Sequence, residues 1–217
     1  MSDGTGYWNT VGAAKTYSHP FELAWLGEPS PTARVIDYGC GSGRLTAVLY
    51  DAGWTGVEGV DIAPAAIDRA RTLAPGPAFH VLDRPPRLRY ADGEVDAVLL
   101  VAVLTCLPSD DDQRRLVEEL HRVLRPGGVL CVSDYPLQED RRNLDRYERS
   151  AARYGTYGVF TTGDGAVCRH HDPAWFDTLL GGFAITRTRR VPVRTMNGHP
   201  ATAVQFRAVK PVTALQG

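Results

Sequence analysis

Hydrophobic positions in the first two thirds of the chain alternate between two rhythms. Arg34–Tyr38, Gly56–Asp61 and Ala78–Leu82 are short β-branched or apolar runs that read as strands. Val95–Val103 is a continuous apolar run, as expected of a strand buried on both faces of a parallel sheet. Gly43–Ala52 carries Leu45, Val48 and Leu49 at helical spacing, and a further helix follows with Pro64 in its first turn. Asp110–Leu124 is amphipathic, with acidic residues at its start and Arg122 and Arg125 near its end, where the helix dipole favours them. Pro126-Gly127-Gly128 then breaks the helix, and Val129–Ser133 forms a fifth strand.

This alternation implies right-handed βαβ crossovers and a parallel sheet. Beyond residue 133 the rhythm changes. Leu137–Tyr154 is charged and helical, with Leu144 and Tyr147 as sparse apolar anchors, while Gly155–His171 reads as a structured loop. Asp172-Pro173 caps a last helix, Pro173–Leu180. Phe183–Val193 and Ala201–Val209 flank a turn of Met196, Asn197, Gly198, His199 and Pro200 and pair antiparallel at the sheet edge. The expected fold is α/β and doubly wound: a seven-stranded, mostly parallel sheet with an antiparallel C-terminal hairpin and a small helical cap.

Composition adds little beyond class. The 217 residues are 43% hydrophobic and 23% charged, enough to bury a core, and the net charge of −1 gives no global pull toward nucleic acid or an anionic membrane. Basic residues are nearly all arginine, with lysine at Lys15 and Lys210 only; arginine suits carboxylate recognition, although GC-rich coding gives the same bias. No run of about 18 apolar residues appears, and the N-terminus lacks signal-peptide features. Cys40, Cys106, Cys131 and Cys168 form no CxxC pair, which argues against a zinc site or a disulfide frame and fits a reducing cytoplasm.

The strongest chemical signal is Val35-Ile36-Asp37-Tyr38-Gly39-Cys40-Gly41-Ser42-Gly43. Glycines at a strand-to-helix turn bring bare backbone close to a ligand, and the helix start offers free N–H donors. Any Rossmann-type nucleotide fold uses such a turn. Arg44, however, stands where a dinucleotide fingerprint would place its third glycine, which counts against a nicotinamide cofactor. Asp61 ends the second strand 18 positions after Gly43, where a carboxylate can accept hydrogen bonds from both ribose hydroxyls. A solvated strand-end aspartate is the plain alternative.

On these residues, together with VEGVDIAPAAIDRAR, VLDRPPRL and VDAVLLVAVLTCLP…ELHRVLRPGGVLCVSDY, residues 30–135 resemble the class I (Rossmann-like) S-adenosylmethionine-dependent methyltransferases, specifically the compact methyltransferase-11 or -25 type. The resemblance implies that Gly39, Gly41 and Gly43 approach the methionine part of S-adenosylmethionine and that Asp37 contacts its amino-acid end. Asp61 would take the ribose hydroxyls, Ile62 would pack on adenine, and Asp83, with Arg84 beside it, would meet the adenine amino group. Val101 and Ala102 would line the cofactor floor. One domain over 1–217 then divides into a lid (1–30), a cofactor-binding core (31–135), a substrate cap (136–172) and the C-terminal helix and hairpin (173–217). The Asn/Asp-Pro-Pro-aromatic motif of nucleic-acid base methyltransferases is replaced here by Val101-Ala102-Val103-Leu104, so no nucleic-acid partner is expected.

Acceptor contacts should come from outside the shared core. The lid offers Tyr7, Trp8, Tyr17 and His19, and the cap offers Tyr135, Tyr154, Tyr157, His170 and His171. Histidine titrates near neutrality, so His170 and His171, with Tyr157, are the candidate catalytic groups. His80 and His121 read as structural, and the histidine spacing carries no metal-ligand signature. The expected activity is methyl transfer from S-adenosylmethionine, leaving S-adenosylhomocysteine, to a small molecule such as a specialised natural product. The alternatives are a protein of this fold catalysing a non-methylation step, a nicotinamide oxidoreductase, or a protein or RNA methyltransferase. No membrane partner is expected, and the oligomeric state stays open, a homodimer included.

Overall fold

A computed structural model of the protein describes residues 5–15 and 18–212. Five parallel strands form the core of one sheet: β1 (Val35–Tyr38), β2 (Val57–Asp61), β3 (Ala78–Val81), β4 (Val95–Val101) and β5 (Leu124–Asp134). Strands β8 (Ala184–Arg194) and β9 (Pro200–Val209) complete it in the order β3-β2-β1-β4-β5-β9-β8. Strand β9 runs antiparallel to both of its neighbours, so the expected fold class holds. Strand order reverses between β1 and β4, which opens a crevice at the C-terminal ends of those strands, the usual ligand position of such sheets.

Both faces of the sheet are covered. Val35, Ala97, Leu99 and Cys131 pack with Leu45 and Leu49 of α2 (Arg44–Asp51), while Ile36, Val98, Leu100 and Leu130 pack with Leu116 and Leu120 of α4 (Asp110–Val123) and Phe176 of α6 (Pro173–Leu179). All four residues of β1 are buried, which explains the loss of polar alternation in its sequence. The edge strand β8 is mostly exposed and carries Arg187, Arg189, Arg190 and Arg194, charges that discourage edge-to-edge pairing. Among the described residues, no helix is long and apolar enough to cross a membrane.

Two expectations need correction. Pro126-Gly127-Gly128 does not separate helix from strand: the strand starts at Leu124, paired with Val95, and pairing resumes at Val129 opposite Ala97. The chain bulges between those points through Gly127 at φ 77° and Gly128, whose Cβ would lie 2.8 Å from the Arg125 carbonyl oxygen. The second correction concerns Gly155–His171, which contains a hairpin, β6 (Val159–Thr161) with β7 (Val167–Arg169), and not only loop. Its alternation was too short to register against the surrounding glycines. Helix α5 (Arg141–Tyr154) precedes it, capped by Asp140, whose side chain accepts from the Asn143 N–H.

The N-terminal segment bridges this cap and the core. Helix α1 (Thr5–Asn9) docks on α3 (Pro64–Leu73), where Asn9 Oδ1 accepts from the Ala65 N–H (3.0 Å) and Arg69 donates to the Ala13 carbonyl (3.0 Å). Asp164, in the β6–β7 turn, receives Lys15, the Tyr7 hydroxyl, the Thr162 hydroxyl and the Asn197 amide. Those donors, Lys15 foremost, hold its carboxyl well below the usual carboxylate range. One carboxylate thus ties lid, cap hairpin and the β8–β9 turn together.

Candidate active site

After β1 the chain turns through Gly39, Gly41 and Gly43, all left-handed at φ 72°, 54° and 80°. A Cβ on Gly39 would lie 2.5 Å from Val103 Cγ2, and one on Gly43 would lie 2.6 Å from the Phe79 ring, so the loop has to be bare. Asp61, at the tip of β2, clasps it: Oδ2 accepts from the Gly41 N–H (2.9 Å) and Oδ1 from the Ala63 N–H (2.9 Å). Burial raises the Asp61 pKa while those bonds oppose the shift. A carboxylate offers about four lone-pair sites, so two remain for a ligand. Beneath the loop, Asp37 is buried and accepts from the Thr46 hydroxyl (2.7 Å). Its burial pushes the carboxyl up to about 6, against the pull of Thr46 and Arg44.

Ile62 and Val101 are half-buried beside this cleft, at the ends of β2 and β4, whereas Asp83 and Arg84 are exposed on the loop after β3. Arg44 turns out to be structural: its guanidinium donates to the His19 carbonyl (2.7 Å) and ties the N-terminal segment to the start of α2. Ala102 follows β4 with φ 56°, the single non-glycine residue at positive φ among those described. Such a conformation costs about 1–3 kcal/mol and is held by the Ala102 N–H on the Ser133 carbonyl (2.8 Å) and by Cys106 Sγ donating to the Ala102 carbonyl (3.3 Å).

A cavity of about 260 Å³ adjoins this point. Ala102, Thr105, Cys106 and Tyr135 form its floor, Trp8 and Phe160 contribute aromatic wall, and His170 lies between them. Arg142, Arg146 and Arg149 of α5 close one side, and Thr195, Met196, Asn197 and His199 of the β8–β9 turn close another. The floor is positioned by Asp134, which the sequence reading missed. Fully buried at the end of β5, it accepts from the N–H groups of Thr105 (3.1 Å) and Tyr135 (2.8 Å), and burial pushes its carboxyl up to about 7. Burial also pushes the Cys168 thiol in the wall up to about 12, so it stays protonated.

Hydrogen-bond networks hold two cavity-lining polar groups, Tyr135 and His170, in place. Gln205 presents Oε1 to Arg189 and Nε2 to the Pro20 carbonyl, so its Nε2 also donates to Ser133 Oγ (3.0 Å). Ser133 Oγ in turn pairs with His19 Nδ1 (3.0 Å), and His19 Nε2 pairs with the Tyr135 hydroxyl (2.8 Å), which fixes the position of Tyr135 at the cavity. The Tyr147 oxygen accepts from the Gln138 N–H (3.2 Å), its hydroxyl pairs with His170 Nδ1 (2.6 Å), and Arg146 Nη2 lies 3.4 Å from both ring nitrogens. Burial lowers the His170 pKa far below neutrality, so the ring stays neutral.

The structure thus brings Trp8, Tyr135 and His170 together at the cavity. His171 stands behind the wall, fully buried: Trp175 occupies Gln113 Oε1, so the Gln113 amide donates to His171 Nε2 (2.8 Å), and Nδ1–H points at the Tyr135 carbonyl (3.2 Å). With both ring nitrogens engaged it is built as a strut. Tyr157 is 48% exposed outside the cavity, the Tyr154 hydroxyl pairs with Thr161, and the Tyr7 hydroxyl is spent on Asp164. Tyr17 lies outside the described residues. The arginines of α5 were overlooked; their spacing of four and three puts them on one helix face, but nothing in the sequence says whether that face meets a cavity or solvent.

Acid is expected to destabilise this arrangement. Burial holds His19 near a pKa of about 4, His171 near about 3 and His170 well below its ordinary value. The unfolded chain protonates all three below about 6.5, so stability falls as pH drops below that value. Asp37 and Asp134, raised to about 6 and about 7, act oppositely, because the fold keeps protons that the unfolded chain has released. His80 and His121 add to the histidine trend and Asp61 to the carboxylate trend. The buried histidines outnumber the buried carboxylates, so unfolding takes up protons on balance and stability should fall by on the order of 1 kcal/mol per pH unit. Urea unfolding between pH 6 and pH 4.5 should show that slope; a flat or rising profile would mean the histidines are charged in the fold.

Residues 36–132 match a family described as a methyltransferase domain. The chain is 33% identical over 126 residues to the 2-methyl-6-phytyl-1,4-hydroquinone methyltransferase of Synechocystis sp., a stretch covering 57% of this chain and 39% of that protein. Among solved structures, a SAM-dependent methyltransferase of Methanosarcina mazei superposes with a TM-score of 0.82 at 23% identity, over 89% of this chain and 100% of the other. The magnesium protoporphyrin IX methyltransferase of Synechocystis, solved with bound S-adenosylhomocysteine, follows at 0.67 and 21% identity, over 95% and 97% of the two chains. At these identities the structural likeness is one of fold.

Proposed function

From the match of residues 36–132 to the methyltransferase domain family we propose that the chain transfers a methyl group from S-adenosylmethionine to a small-molecule acceptor. The observation that supports this best is the clasp of Asp61 on Gly41 at the tip of β2, set beside an aromatic cavity at the ends of β4 and β5. The residues fit the cofactor. A loop in which Cβ atoms at Gly39 and Gly43 would collide with neighbours leaves room only for bare backbone near the methionine end, and Asp61 keeps two lone-pair sites for ribose hydroxyls. Asp37 lies below the loop as a negative group for the amino-acid end, and Ile62 and Val101 supply apolar contact.

Bound S-adenosylmethionine supplies an electrophilic methyl on a sulfonium with a strong leaving group, so the protein's work is alignment and water exclusion. Trp8 and Phe160 wall the cavity, and Asp164 latches the lid across it. Tyr135, oriented by His19, offers its hydroxyl to the acceptor, and neutral His170 lines the cavity beside it. The cavity volume suits one small molecule, and relatives named for a phytyl hydroquinone and a magnesium protoporphyrin act on compounds of that class.

Incubating the protein with methyl-labelled S-adenosylmethionine and a metabolite extract should give labelled low-molecular-weight product. Calorimetry should show micromolar binding of S-adenosylhomocysteine and none of NADPH. Failure of S-adenosylhomocysteine to bind would overturn the proposal.

A further inference from the structure

The polar lining of the cavity has one sign. Arg142, Arg146 and Arg149 line it from one face of α5, and among the described residues no aspartate or glutamate does. This is not a property of the chain at large, whose net charge is −1. Elsewhere the arginines of this protein commonly meet carboxylates, as Arg122 does on Glu119 and Asp92, Arg125 on Asp96 and Arg169 on Asp110. Among the described residues, none pairs as an ion with any of the three in the cavity. Arg146 is the most constrained: its guanidinium lies 3.4 Å from the centroid of the Phe160 ring, and its buried Nε has no hydrogen-bond partner. A buried donor without a partner costs about 1–3 kcal/mol, an unusual expense for a site meant to hold an uncharged molecule.

The networks already traced point the same way. His170 stays neutral with Arg146 Nη2 3.4 Å from its ring nitrogens, so it adds no negative charge to the cavity. Donors with no acid among them complement an anion; a planar guanidinium matches a carboxylate in two parallel bonds. Trp8, Phe160 and the Tyr135–His170 stack (5.1 Å between centroids, 17° between planes) supply the flat apolar surface on the remaining sides.

From this geometry we infer that the methyl acceptor is an aromatic carboxylate whose carboxyl group is held by Arg146, flanked by Arg142 and Arg149. The inference rests on the methyl-transfer reading of the site and narrows it to a substrate class. Arg146 binds the carboxyl through its terminal guanidinium nitrogens while Phe160 keeps the guanidinium plane fixed, and the other two arginines raise the local potential from the rim.

The test is a ligand-observed fluorine NMR titration of the intact protein, saturated with S-adenosylhomocysteine, against 4-fluorobenzoate and against 4-fluorobenzamide, which has the same shape without the charge. The wild type should bind the carboxylate at least tenfold more tightly than the amide. Arg146→Gln should abolish that preference. Arg142→Gln/Arg149→Gln, which changes two exposed residues and leaves packing intact, should reduce it severalfold, and Arg141→Gln, on the solvent side, should leave it unchanged. Equal binding of the two probes, no binding of the carboxylate, or full preference retained in both cavity variants would overturn the assignment. Calorimetry of S-adenosylhomocysteine on the same samples separates the two readings: normal cofactor affinity with no preference for the anion rejects only the substrate class, whereas lost cofactor affinity in the wild type rejects methyl transfer itself.

Discussion

An Asp61→Ala variant is expected to bind S-adenosylhomocysteine about a hundredfold more weakly than the wild type, a loss of about 2.7 kcal/mol, while keeping its fold. Two contributions combine. The ribose hydroxyls lose a charged acceptor, and bonds to charged groups are worth about 1.5–3 kcal/mol each. The glycine loop also loses its clasp, since Gly41 N–H and Ala63 N–H both rest on this carboxylate. Asp61→Asn separates the two effects. One oxygen survives, but the amide nitrogen must then face one of two backbone donors, so an intermediate loss is expected. Calorimetric affinities, read beside thermal melts of the same samples, check this. A change smaller than threefold in Asp61→Ala would remove the central argument for where the cofactor sits.

Gly158→Ala should be the most damaging single-methyl change, lowering stability by more than about 3 kcal/mol and the melting temperature by roughly 6–12 °C. Gly158 has φ 94°, and a Cβ there would lie 2.2 Å from the His170 carbonyl oxygen and 3.0 Å from Leu137 Cδ2. Neither neighbour can step aside easily, because the Gly158 carbonyl itself accepts from the His170 N–H (2.9 Å) and pins the two segments together. Gly155, three residues earlier, is the control: its φ is 66°, yet nothing lies within 4 Å of the added methyl. Gly155→Ala should cost about 1 kcal/mol, the price of backbone conformation alone. If the two variants melted alike, the packing of the cap hairpin onto His170 would be wrong.

These expectations draw unequally on sequence and structure. Cofactor-side features were legible early because a local pattern specifies them. The strand of Val35–Tyr38 runs into three glycines within five positions, and Asp61 closes the next strand, so each feature follows from residues adjacent in the chain. Sheet layout was legible too, since apolar runs buried on both faces and right-handed crossovers restrict the topology to few choices. The detour at Pro126-Gly127-Gly128 and the short β6–β7 hairpin were not, because glycine marks a turn, a bulge and a loop with the same letter.

The acceptor side depended on which surfaces meet. His170 and His171 are neighbours with the same side chain, and sequence gave them the same role. Packing turned one ring toward the cavity and the other onto Gln113, and each is held by a partner far along the chain, 23 and 58 positions away. Likewise Arg142, Arg146 and Arg149 read as a solvated stripe until α5 is laid against Phe160 and the β8–β9 turn. Sequence alone determined the fold, the glycine loop and its aspartate, because covalent order and period specify them locally. The charge of the cavity and the lid latch at Asp164 were decided by tertiary structure, because contacts between distant segments set burial and bring charges together.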